Sequence, residues 1–121
     1  MGIFDIFKPS KLSIVIREMR KEDLTPQAML MKSGAKSGYD FDTPSGKMSD
    51  SRMKAEINLL KLQKVNILAA MTSQSRFTHA KEICKNHNLL KGVEFMDNYI
   101  EVYKLYIKQL KDDASGGPIF F

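Results

Sequence analysis

Apolar residues recur along most of the chain at α-helical spacing. Leu12, Val15, Ile16 and Met19 follow i, i+3, i+4, i+7, which lines them up on one stripe of a helix. Ser10 stands just ahead as an N-cap, so the spacing predicts a first helix over Lys11 to Asp23. The run Ser13-Ile14-Val15-Ile16 also fits a strand, but the longer window keeps the 3.6-residue period and favours helix. Thr25-Pro26 reads as an N-cap with proline at the first helical position and opens a short helix through Met31. Farther on, apolar positions from Arg52 to Ser73 predict the longest helix, capped by Ser49, Asp50 or Ser51. Its apolar residues fall on two arcs at 100° per residue. One carries Met53, Ile57, Leu60, Ile67, Leu68 and Met71; the other carries Ala55, Leu59, Leu62, Ala69 and Ala70. A helix with two apolar faces needs neighbours on two sides, as the central helix of a bundle or as part of an oligomer interface.

Ser73-Gln74-Ser75 predicts a break and a new cap. The helix that follows, Arg76 to Asn88, turns Phe77, Ala80, Ile83 and Cys84 inward. Lys91-Gly92 reads as a turn. Val93, Phe95, Met96, Tyr99, Ile100, Val102, Tyr103, Tyr106, Ile107 and Leu110 then fill half of the wheel of a last helix, Val93 to Lys111. Three segments stand outside this pattern. Residues 1–9 place Ile3, Phe4, Ile6 and Phe7 ahead of Pro9 as a short apolar hook. Residues 33–50 (SGAKSGYDFDTPSGKMSD) are rich in Gly, Ser, Asp and Pro and have no period. Structureless connections longer than about 12–15 residues are usually functional or mobile, and Tyr39 and Phe41 are two aromatics inside this one. Residues 112–121 form a polar spacer ending in Ile119-Phe120-Phe121. The expected fold is all-α: one domain over 1–121, a small helical bundle of four main helices plus one short helix, with a long irregular loop at 33–50.

Composition narrows the classes. At 121 residues, with 43% hydrophobic and 27% charged positions, the chain can bury about two thirds of its unfolded surface and is too apolar for global disorder. The single cysteine, Cys84, excludes an internal disulfide framework. No apolar run approaches the ~20 residues that span a bilayer. No basic stretch followed by an apolar core is visible at the start, so a cytoplasmic location is expected. Met1-Gly2 invites N-myristoylation, but Ile6 stands where that motif wants Ser or Thr. The Ile3–Phe7 hook with Lys8 and Lys11 is too short for a stable interfacial helix, which argues against a membrane partner.

Charge is uneven. The net value is +5, yet residues 51–91 alone carry eight Lys or Arg against Glu56 and Glu82, a local +6 that leaves −1 for the rest of the chain. Lys54, Lys61 and Lys64, followed by Lys81 and Lys85, make a basic strip to which Asn58, Gln63 and Asn66 add hydrogen-bonding groups. Lysines supply phosphate affinity without reading sequence. No arginine cluster and no clear helix-turn-helix accompanies them. A solvated helix surface accounts for the same lysines.

Catalytic chemistry is not visible. His79, Cys84 and His87 share one predicted helix. His79 points about 140° away from Cys84 at 100° per residue, and zinc needs three or four convergent ligands. Asp40-Phe41-Asp42 lacks the ligand spacing and terminal Glu of a calcium loop. No G-x-S-x-G, P-loop or dinucleotide fingerprint is present, and Cys84 faces inward. The expectation is a non-enzyme with no cofactor and no metal.

The opening Met1-Gly2-Ile3-Phe4-Asp5-Ile6-Phe7-Lys8 resembles the start of many small bacterial and phage accessory proteins, including some immunity proteins against delivered toxins. That likeness covers eight residues and implies a cytoplasmic, partner-binding role. Together with both apolar termini, the two-faced helix and eight methionines, it leads to an expected function. The chain would be a non-catalytic interaction or assembly protein that binds a protein partner or itself. Ile3, Phe4, Phe7, Tyr39, Phe41, Ile119, Phe120 and Phe121 would be its contact residues. The alternative is a nucleic-acid-binding accessory protein using Lys54, Lys61, Lys64, Lys81 and Lys85.

Overall fold

The computed structural model describes residues 10–38 and 47–114. These form five α-helices, with no strand among the described residues: α1 Lys11–Lys21, α2 Thr25–Lys36, α3 Asp50–Leu62, α4 Ile67–Asn86 and α5 Leu90–Ala114. Side-chain caps start three of them. Ser10 Oγ accepts from Ser13 N at 3.2 Å, Ser49 Oγ from Arg52 N at 3.2 Å and Asn66 Oδ1 from Ala69 N at 2.8 Å.

Three helix ends use one device. After α1, Asp23 takes φ 60°, after α3 Lys64 takes φ 52°, and after α4 Asn88 takes φ 56°. Each left-handed residue turns the chain so that the next N–H donates five residues back: Leu24 to Met19 O (2.8 Å), Val65 to Leu60 O (3.2 Å) and Leu89 to Cys84 O (2.9 Å). The left-handed residues themselves donate three back, to Arg20, Lys61 and Lys85 carbonyls. This is the Schellman closure, with an apolar residue following it each time. Glycine is its usual pivot, and here none of the three pivots is glycine. A side chain in the left-handed region costs roughly 1–2 kcal/mol. Lys64→Gly should therefore raise stability by about 0.5–1 kcal/mol, net of the added unfolded-state entropy of glycine. A thermal melt followed by circular dichroism checks this, and an unchanged or lower midpoint contradicts it.

These pivots explain where the helix boundaries depart from the periodicity. The predicted helix Arg52 to Ser73 is two helices, because the chain turns at Lys64 and restarts on the Asn66 cap. The apolar arcs do not run through this bend. Ile57 and Leu60 of the first arc are buried in α3, whereas beyond the bend Ala70 of the second arc is buried and Leu68 and Met71 are exposed. Ser73-Gln74-Ser75 does not break the chain but lies inside α4. The hydroxyls around it fit a helix because they bond back one turn, Thr72 Oγ1 to Leu68 O (3.0 Å) and Thr78 Oγ1 to Gln74 O (2.9 Å).

The remaining corrections are at helix ends. Lys91-Gly92 is not a turn but the buried first turn of α5, since the Asn88 pivot has already reversed the chain. The short helix from Thr25 runs past Met31 to Lys36. Small residues sustain its inner face there: Gly34 and Ala35 are half-buried, and Ala35 packs on the core. Hence residues 33–36 of the expected loop at 33–50 belong to α2 and Asp50 already belongs to α3; residues 39–46 of it lie outside the described residues. Leu24, not Thr25, is the N-cap of α2. α1 stops at Lys21 rather than Asp23, and Asp112 to Ala114, expected in the tail, continue α5.

α4 and α5 pack antiparallel, with Phe77 stacked on Tyr99 (centroids 5.3 Å apart) and Lys81 Nζ 2.8 Å from Asp97 Oδ1. α1 and α2 close one flank. Val15, Met19, Leu24, Ala28 and Met31 join Phe77, Ala80, Ile83, Cys84, Met96 and Tyr99 in one apolar cluster. A second, smaller cluster joins α3 to the far half of α5 through Ile57, Leu60, Ala70, Val102, Tyr106 and Ile107. Met48 and Tyr103 pack against both.

Candidate functional site

α3 packs mainly on α5. Its inner face carries Met53, Ile57 and Leu60. Its outer face carries Ala55, Leu59 and Leu62 at i, i+4, i+7, the spacing of a helix-docking seam. Leu59 is 49% exposed and Leu62 79%; just past the bend, Leu68 is 73% and Met71 48% exposed. Leu62 closes α3 and Leu68 stands at the second position of α4, so the two lie on either side of the corner between these helices. The other large exposed apolar residues among the described ones, Met29 and Leu90, lie on α2 and at the start of α5. Scattered exposed leucines are ordinary; here four large apolar side chains fall within one turn or so of a single bend.

The corner is held from inside. Tyr106 Oη, on buried α5, donates to Val65 O at 2.5 Å and lies 3.4 Å from Leu60 O. The Val65 carbonyl, between α3 and α4, thus meets a fixed hydroxyl, beside the Leu60 carbonyl that closes the end of α3.

Of the sequence-predicted basic strip, Lys54, Lys61 and Lys64 are exposed beside this corner. Lys54 and Lys61, at i, i+7, flank the Leu59–Leu62 seam along one edge, and the Arg52–Glu56 pair (3.0 Å) occupies the other. That carboxylate raises the Arg52 pKa. Lys81 does not join them, because it is half-buried and paired with Asp97. Lys85 is exposed on α4, well along from the corner. The strip thus resolves into a cluster at α3 and isolated lysines on α4. Ile3, Phe4, Phe7, Tyr39, Phe41, Ile119, Phe120 and Phe121 lie outside the described residues.

A groove of about 880 Å³ opens between the start of α3 and α5. Met48, Met53, Ile100 and Leu105 are its apolar lining. Asp50, Glu94, Asp97 and Glu101 stand around it with Lys47 and Lys104. Met48 N donates to Asn98 Oδ1 at 3.0 Å, which fixes the segment entering α3.

The two histidines serve packing. His79 Nε2 lies 3.1 Å from Glu22 Oε1, and His87 pairs with Glu18, so α1 is clamped antiparallel to α4. Cys84 is fully buried, and burial pushes its thiol pKa up to about 12, the reverse of a reactive cysteine. Among the described residues, no group of three or more His, Cys, Asp or Glu could hold a metal ion, and no helix is long and apolar enough to cross a membrane.

Buried Gln27, whose Oε1 has no hydrogen-bond partner, and buried Lys91 have no counterpart in the sequence reading. Neither does the corner as a unit. Its one legible signal is Asn66 after Val65, a cap inside an otherwise uninterrupted helical pattern. No protein-family model, curated protein or solved structure matches the chain.

Proposed function

We propose that the protein is a non-catalytic interaction or assembly protein: a small helical bundle of four main helices and one short one, working in the cytoplasm and docking through the α3–α4 corner. The observation that carries this reading is the exposure of Leu59, Leu62, Leu68 and Met71 around one internally braced bend. Solvent-exposed apolar area of this kind is costly unless something covers it. Lys54, Lys61 and Lys64 around it steer an acidic partner surface into place. The alternative, phosphate contact by the same lysines, retains three exposed ammonium groups but loses Lys81 to Asp97.

A photoreactive residue in place of Leu62, in the cells that make the protein, tests the docking reading. The expected result is a defined cross-linked protein adduct from position 62 and none from position 17, where Arg17 is exposed on α1. No adduct from position 62, or equal adducts from both, overturns it.

A further inference from the structure

We infer that the cleft between α2 and α4 binds a small aromatic carboxylic acid that carries a hydroxyl at the end opposite its carboxylate. The inference is independent of docking at the corner. The cleft has a volume of about 450 Å³, within the range of small-molecule sites. Leu30, Phe77 and Tyr103 supply apolar lining, and Gln27, Ser73 and Arg76 stand among them.

Three observations give the ligand its chemistry. First, Gln27 is 2% exposed, and its Oε1 has no hydrogen-bond partner among the described residues. A buried amide oxygen that has left water without gaining a donor is costly, and buried polar atoms in folded proteins nearly always have partners. A methionine would fill similar space without that cost, so the amide calls for a partner from outside the chain. A hydroxyl serves it in either orientation, giving a hydrogen to Oε1 or taking one from Nε2.

Second, Arg76 is exposed on α4 and forms no ion pair with any described residue. A guanidinium at the mouth of an apolar cleft can hold a carboxylate through two parallel hydrogen bonds. Third, the wall between these groups is aromatic. The rings of Phe77 and Tyr103 lie 5.5 Å apart and are tilted by 32°, an arrangement against which a flat ring packs well. Burial raises the Tyr103 pKa and a hydrogen bond with Ser73 lowers it, so these two hydroxyls already serve one another. The buried amide and the exposed cation set the direction of the ligand, hydroxyl inward and carboxylate outward.

Two probes, 4-hydroxybenzoate and benzoate, titrated into the ¹⁵N-labelled full chain test this through its amide resonances. A ligand of about ten heavy atoms is expected to bind with a Kd of about 1 mM. 4-Hydroxybenzoate is expected to shift the side-chain amide of Gln27 and the backbone amides of Leu30 and Ser73. Benzoate is expected to bind about 3–10-fold more weakly, because it leaves the Gln27 amide unpaired. Arg76→Gln, at an exposed position, is expected to weaken both probes about tenfold. Gln27→Met is expected to erase the difference between the probes without lowering the thermal midpoint. No shift at these residues at about 20 mM probe, well above the expected Kd, overturns the inference. So does equal binding of the two probes to wild type, or binding that Arg76→Gln leaves unchanged. If Gln27→Met fails to fold, the two probes on wild type and on Arg76→Gln still decide.

Discussion

Gly92→Ala is expected to destabilise the protein by about 1–3 kcal/mol, the usual range for an overpacked core site. On helix propensity alone the substitution should gain about 1 kcal/mol, so the two effects have opposite signs and the measurement separates them. Gly92 sits in the first turn of α5, where the helix crosses α4. A β-carbon there would lie 2.6 Å from Cys84 Sγ, 3.1 Å from Cys84 Cβ and 3.1 Å from Leu89 Cδ2. Cys84 is fully buried, and Leu89 is the apolar residue that completes the α4 closure. Neither can move away without disturbing the main helix pair. The thermal midpoint should fall by about 5–10 °C. Cys84→Ala in the Gly92→Ala background should recover part of this loss, giving a non-zero coupling in a double-mutant cycle. A rise in the midpoint would mean that the helices separate freely at this crossing.

Cys84 carries the second large effect, loss of stability at alkaline pH. Its thiol is raised from 9.0 to about 12 by burial. The folded chain therefore keeps a proton that the unfolded chain loses above about pH 9. Where the native state holds the extra proton, stability falls as pH rises. The full contribution is present below pH 9 and is lost progressively towards pH 12, with a slope approaching about 1.4 kcal/mol per pH unit. Burial raises Tyr99 and Tyr103 in the same direction, so the wild-type slope contains their share too. Cys84→Ala isolates the thiol. Urea titrations at pH 8, 9 and 10 should give a shallower pH dependence for the variant, whatever its absolute stability. Equal slopes would show that the thiol titrates alike in both states.

The face of α5 was legible in the sequence because long aromatic and branched residues mark it so densely that no shift of boundary hides the period. Tyr99, Val102, Tyr106 and Ile107 are buried as that period requires. Phe77, Ala80, Ile83 and Cys84 on α4 were legible for the same reason. The bend at Lys64 was not. Helix ends are usually read from glycine, and this chain pivots on Lys, Asp and Asn, whose local sequence does not demand a positive φ. Glycine takes a positive φ at one helix end, at Gly38 after α2 (φ 94°), but Gly34 and Gly92 lie inside helices, so a reading that takes every glycine as punctuation misplaces boundaries. Ser73 and Ser75 mislead similarly, since small polar residues both cap helices and lie quietly on them. The corner followed from neither signal. Two apolar arcs on one long helix and two short helices with separate inner faces share a composition, and only the bend decides which leucines meet water.

The weak anchoring of α3 has a thermodynamic consequence. Its inner face rests on the smaller cluster, whereas α1, α2, α4 and α5 share the larger one. Local opening in a folded protein begins where the fewest apolar contacts must be given up, so the amides of α3 should exchange with solvent through a sub-global opening that leaves the α4–α5 pair intact. The α3–α4 corner then belongs to a less protected unit than the α4–α5 pair. Any partner that covers it binds the closed form alone and suppresses that opening by mass action. On the docking reading proposed above, recognition at the corner and the ordering of α3 are one coupled equilibrium.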